Sequence, residues 1–170
     1  ATVGVAAVIA LGIVVPFLLP YLALQADGAF AERTLAEAQT HAADWRSYLA
    51  SSAISHGWLL PLIGRWNDVL FPGFLATLLA AFGVWTAVRD RAERSPSRET
   101  AVLYLLIGGL AMWASFGPDA GLYTLLHEGV PGFALMRVPS RLGVVVSLAV
   151  TVLAAFGVAS VASRAGQVAA

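Results

Sequence analysis

Four stretches of this chain run for 19 residues or more without an Asp, Glu, Lys or Arg: Ala1–Ala26, Val69–Val88, Thr100–Pro118 and Leu142–Ser163. An α-helix rises 1.5 Å per residue and the hydrocarbon core of a bilayer is about 30 Å thick, so about 20 apolar residues make one crossing. A charge at the bilayer centre costs about 2.5–3.5 kcal/mol, which accounts for charges swept into the gaps. Composition agrees: 59% of residues are hydrophobic and 12% are charged, against about 25% charged in soluble domains. The alternative, a soluble helical domain with very apolar core helices, fits that charge content poorly. The expected fold is all-α, a polytopic membrane helix bundle of four transmembrane helices with short amphipathic helices in its external loops. The run Thr100–Pro118 is the weakest of the four, because Gly108, Gly109 and Gly117 lower its hydrophobicity.

The same composition closes off several classes of function. There is no Cys, which excludes disulfides, thiolate metal sites and cysteine nucleophiles. The formal net charge is zero and no basic stripe is present, so no nucleic-acid partner is expected. The apolar start lacks the basic leader and small-residue cleavage site of a signal peptide. The expectation is a single membrane domain over residues 1–170, a fragment of a longer protein whose remaining helices pack against it.

Arginine placement orients the spans. The segment Arg89–Arg98 carries Arg89, Arg91, Arg94 and Arg98, and the positive-inside rule makes the 89–99 loop cytoplasmic. The gap Asp27–Asp68 holds three Arg against five acidic residues, and Asp119–Arg141 holds two of each. Both are expected outside, as external loops 27–68 and 119–141. Arg164 then returns the tail to the cytoplasm, so both ends of the chain are expected on that side.

The external loops carry local signals. Thr34-Leu-Ala-Glu37 has the form of a capping box, and Leu35, Ala38, Ala42, Trp45 and Leu49 follow at helical spacing. They predict an amphipathic surface helix. Trp58 and Trp66 are placed for an interfacial aromatic belt, and Phe71-Pro72-Gly73 opens the second span. In the second loop, Leu122–Glu128 predicts a short helix that Gly129 ends in left-handed geometry. Pro131-Gly132 predicts a turn, and Pro139 suits the first turn of the last span.

Three constellations could carry chemistry. On the predicted surface helix Glu37, His41, Asp44 and Tyr48 would share one face, able to hold a divalent cation or shuttle a proton, or to serve as a solvated face. Arg137 and Arg141, one helical turn apart at the start of the last span, suit a phosphate, because guanidinium forks and a helix N-terminus both favour one. The alternative, which two arginines at the edge of a span more often represent, is anchors reaching lipid headgroups. His127 and Glu128 beside them read as a helix end in water. Pro16 and Pro20 break hydrogen bonds in the first span, giving a kink or, as in some carriers, the lining of a path.

Three stretches together resemble the C-terminal part of bacterial GT-C-type membrane proteins, glycosyltransferase-like proteins that depend on polyprenyl-phosphate sugars. These are Arg33–Leu49, Leu70–Phe74 and Val130–Gly143. None is a catalytic signature. The resemblance implies a multi-pass protein of the bacterial inner (cytoplasmic) membrane that moves a sugar from a lipid-linked donor to an acceptor on the external face. It implies direct displacement at the anomeric carbon, with the acceptor deprotonated by an acidic residue in the first external loop of the whole protein, outside this fragment. Arg137 and Arg141 are then the candidates for the carrier phosphate. The alternatives are a transporter or lipid-flipping subunit, which calls for an ionisable residue within a span, and a non-catalytic structural membrane protein.

Overall fold

The computed structural model describes residues 12–16, 19–20, 34–64, 68–89, 96–130 and 133–168. The chain divides into two compact units, Ala1–Glu32 and Arg33–Ala170. In the first, residues 12–16 and 19–20 are helical and exposed, and Pro16 and Pro20 belong to them. The rest of the expected first span lies outside the described residues, as do Trp66, the Pro131-Gly132 turn, Arg91 and Arg94.

The second unit is helical, without a strand among the described residues. Its α-helices are α1 (Leu35–Thr40), α2 (Leu60–Ile63), α3 (Phe74–Arg89), α4 (Pro96–Ser115), α5 (Leu122–Gly129) and α6 (Gly143–Val168). Short 3₁₀ turns precede α2 at Ile54–Leu59, α5 at Pro118–Ala120 and α6 at Pro139–Leu142, with another at Phe133–Leu135. Three of the charge-free runs thus coincide with α3, α4 and α6, with ends displaced by a few residues.

Length separates these three. The segment Pro139–Arg164 spans 26 residues, contains an 18-residue stretch with a mean hydropathy of 2.5, and is the one described helix long and apolar enough to cross a membrane. The 16 residues of α3 rise about 24 Å, because Gly73 at φ +97° delays the helix start past Phe71 and Pro72. The 20 residues of α4 include Arg98 and Glu99 in the first turns, which shortens its apolar part.

The packing inverts the usual size distribution. Ala80, Ala87, Ala101, Ala111, Ala114 and Ala149 are buried, while Leu75, Leu78, Leu103, Leu106, Leu110, Val144 and Leu148 are exposed. Where α3 crosses α6, a Cβ on Gly83 would lie 2.7 Å from the Gly157 nitrogen and against the Leu153 carbonyl, and one on Gly157 would strike the Leu79 carbonyl. Here backbone packs on backbone, as small residues permit. Thr86 and Ser160 hydrogen-bond across the same interface at 3.0 Å. One cluster, Ala80, Ala87, Ala101 and Leu153, ties α3, α4 and α6 together. A second, Ala43, Tyr48, Ala111 and Val146, joins the 34–50 segment to α4 and α6.

Candidate functional site

The second cluster lies where α4 and α6 meet a cap made by residues 34–50, 117–130 and 133–142. Its first element forms as the capping signal predicts: Thr34 is extended and its Oγ1 accepts from the Glu37 amide at 3.2 Å. The predicted continuation to Leu49 does not form. Thr40 Oγ1 donates to the Glu37 carbonyl at 2.7 Å, His41 Nδ1 lies 3.1 Å from the same oxygen, and α1 ends at His41. Side chains that bond nearby backbone compete with the helix ladder. Ala43 then donates its N–H to Ser115 O at 2.9 Å, and Asp44 Oδ1 accepts from Ser47 N at 2.7 Å and Ser47 Oγ at 2.7 Å. A separate turn follows at residues 45–49.

Glu37, His41, Asp44 and Tyr48 therefore do not share a helix face. Asp44 is bound to Ser47. Tyr48 points inward, its hydroxyl 2.7 Å from Ser115 Oγ. Ser115 Oγ itself donates to Met112 O at 2.6 Å, which leaves Tyr48 as the donor of the pair. Among the described residues no group of three or more His, Asp or Glu is placed to hold a metal ion. Burial pushes the Tyr48 phenol above its ordinary pKa of 10.0, with the Ser115 bond acting the other way.

Glu37 instead meets Arg137, whose Nε lies 2.9 Å from Oε1. Arg137 sits in the non-helical residues 136–138 and Arg141 in the 3₁₀ turn Pro139–Leu142, so the one-turn helical register expected between them does not hold. Backbone donors around them are engaged within the protein: Ser140 N bonds His41 O at 3.4 Å and Arg141 N bonds Val138 O at 3.2 Å. Arg141 is exposed, and among the described residues no carboxylate pairs with it. Pro139 and Ser140 are buried beneath this turn.

Other residues hold the cap that the sequence alone did not single out. Gln39 Oε1 accepts from Asp119 N at 3.0 Å. Gly117, at φ +78°, leaves no room for a side chain, since a Cβ would come within 2.6 Å of Ala42 Cβ. Tyr123 is fully buried; its hydroxyl donates to Met136 O, its ring meets Phe133 edge-on at 5.3 Å, and burial raises its pKa. The visible signals were the Gly117-Pro118-Asp119-Ala120-Gly121 turn and the lone Ser115 ending an apolar run. Gly129 stays within α5, and Val130, with φ −110°, caps it in extended geometry, so the expected left-handed stop is absent. His127 packs near Tyr123 at 6.2 Å.

Beside this cap an apolar groove of about 180 Å³ opens between α4, α5 and the start of α6, lined by Leu110, Ala111, Ala114, Leu122, Leu126, Phe133 and Leu142. Leu142 directly follows Arg141. The neighbourhood thus offers an exposed guanidinium and an apolar recess, the two features that an amphipathic anion requires. Comparison with known proteins gives no matching family model, no similar curated protein and no similar solved structure.

Proposed function

We propose that this chain is part of a polytopic membrane protein of the bacterial inner membrane, crossing it four times, with residues 34–68 and 117–141 forming its external cap. The small-inside, large-outside packing supports the membrane reading, because side chains that face lipid gain nothing by turning inward. Within it, the chain belongs to a GT-C-type glycosyltransferase-like protein that takes a polyprenyl-phosphate-linked sugar on the external face. The observation that carries this reading is the apolar groove whose lining includes Leu142, the residue that follows the exposed Arg141: part of a prenyl tail suits the recess, and a phosphate suits a guanidinium with which no carboxylate pairs among the described residues. Arg137 is the second candidate for the phosphate, released from Glu37 as the ligand enters.

The structural alternative rests on Arg137 being engaged by Glu37, since that pair joins the Gln39–Asp119 and His41–Ser140 hydrogen bonds in strapping the two halves of the cap. Transfer from radiolabelled polyprenyl-phosphate sugars, measured on the full-length protein in membranes, separates the two. Arg141→Gln is expected to lower transfer at least about tenfold, the equivalent of one charge-assisted hydrogen bond. Glu37→Gln, which frees Arg137 without removing it, is expected to leave transfer nearly unchanged. Normal transfer by Arg141→Gln would remove the phosphate assignment. Absence of transfer by the wild type from every donor would favour the structural reading.

A further inference from the structure

At the opposite ends of α3 and α6 from the cap, two arginines converge on one aromatic platform. Phe82, Trp85 and Arg89 lie three and four residues apart on α3 and share a face. Their rings are 5.6 Å apart and tilted by 30°. The Arg89 guanidinium carbon lies 4.4 Å from the Trp85 ring centroid. Arg164, from α6, brings its own to 5.8 Å from the same indole and 5.1 Å from Phe82. Both arginines are exposed, and among the described residues no carboxylate pairs with either.

Two like charges drawn to one indole repel each other, and the ring faces compensate each cation only in part. A phosphate between them would remove the repulsion and accept from both planar forks. Around the pair, Val88, Val158 and Val161 are each at least half exposed, an apolar surround suited to acyl chains. In sequence the pair adjoins the arginine-rich segment Arg89–Arg98, on the side that the charge pattern makes cytoplasmic. Basic recesses between helices on that side suit anionic headgroups.

We propose that Arg89 and Arg164, held on Phe82 and Trp85, bind the phosphate-bearing headgroup of an anionic phospholipid in the cytoplasmic leaflet. The inference rests on the membrane reading given above and is independent of sugar transfer.

The test reconstitutes the full chain in bilayers of phosphatidylcholine with a minor share of phosphatidylglycerol, then counts lipids retained on the released protein by native mass spectrometry. Preferential retention of phosphatidylglycerol is expected, and Arg89→Gln with Arg164→Gln should lower that preference roughly thirtyfold, the factor expected of two surface arginines. Trp85→Leu should weaken it while keeping both charges, and Arg46→Gln, which removes an arginine stacked on Trp45 in the external cap, should leave it intact. Equal retention of both lipids by an embedded wild-type protein overturns the inference while the membrane reading stands. Failure of the protein to embed overturns both. Added millimolar inorganic phosphate should not displace the lipid; if it does so readily, the site is one for free phosphate and the lipid assignment fails.

Discussion

Tyr48 and Tyr123 anchor the cap through phenols that must stay protonated. Burial raises the pKa of each above 10.0, because a phenolate would lose its hydration. Below pH 10 both groups are protonated whether the chain is folded or unfolded, and their contribution is fully present. As pH climbs from the unfolded value through the raised folded one, the folded state binds more protons, so stability falls with rising pH. Tyrosinate absorbance followed through an alkaline titration is therefore expected to show late-ionising groups, one of which Tyr48→Phe removes and the other of which, Tyr123, it leaves. Ionisation of Tyr48 in step with an exposed phenol would refute its burial. The same substitution should cost only about 0.5–1.5 kcal/mol, because Ser115 Oγ keeps its bond to Met112 O. None of this was legible from Tyr48 alone; counted along a continuous helix it belonged with Glu37 on a polar face, and the bend at residues 41–44 turned it inward.

At the scale of elements, the α3–α6 crossing is governed by two glycines. An alanine at Gly83 or Gly157 places a methyl group against the partner's backbone, and such overpacking costs about 1–3 kcal/mol. Gly109 in α4 has open space around its missing Cβ, so Gly109→Ala is expected to be neutral or to stabilise by up to about 1 kcal/mol through reduced backbone freedom. Thermal unfolding in detergent should rank the three variants in that order of sign. A destabilised Gly109→Ala beside a neutral Gly83→Ala would contradict the crossing. Helix positions were legible because uninterrupted apolar runs and the Pro139 start are local signals. Which faces meet was not, because α3 and α6 are apolar nearly all round and their periodicity selects no side.

For the whole molecule, the arginine distribution makes a prediction about sidedness. The chain contains no Cys, so single cysteines can report it cleanly. Ser52 and Glu99 are both exposed. Ser52→Cys is expected to react with a membrane-impermeant maleimide on intact cells, and Glu99→Cys only after permeabilisation. The reverse pattern would invert the proposed orientation; equal labelling of both on intact cells would remove the four-crossing arrangement.

The sequence by itself determined the helical class, the approximate places of α3, α4 and α6, the Thr34 cap and the absence of thiol chemistry. These depend on hydropathy, on residue type and on bonds only a few positions long. Tertiary structure alone decided that residues 42–50 bend away instead of resuming the helix, that Glu37 meets Arg137 and that Tyr48 reaches Ser115. Each depends on a partner supplied by a distant segment: Ser115 O takes the Ala43 amide, and a helix carried on to Leu49 would forgo that bond and the burial beneath it. Local periodicity favours the longer helix, whereas the long-range hydrogen bonds and packing available to residues 41–50 favour the bend.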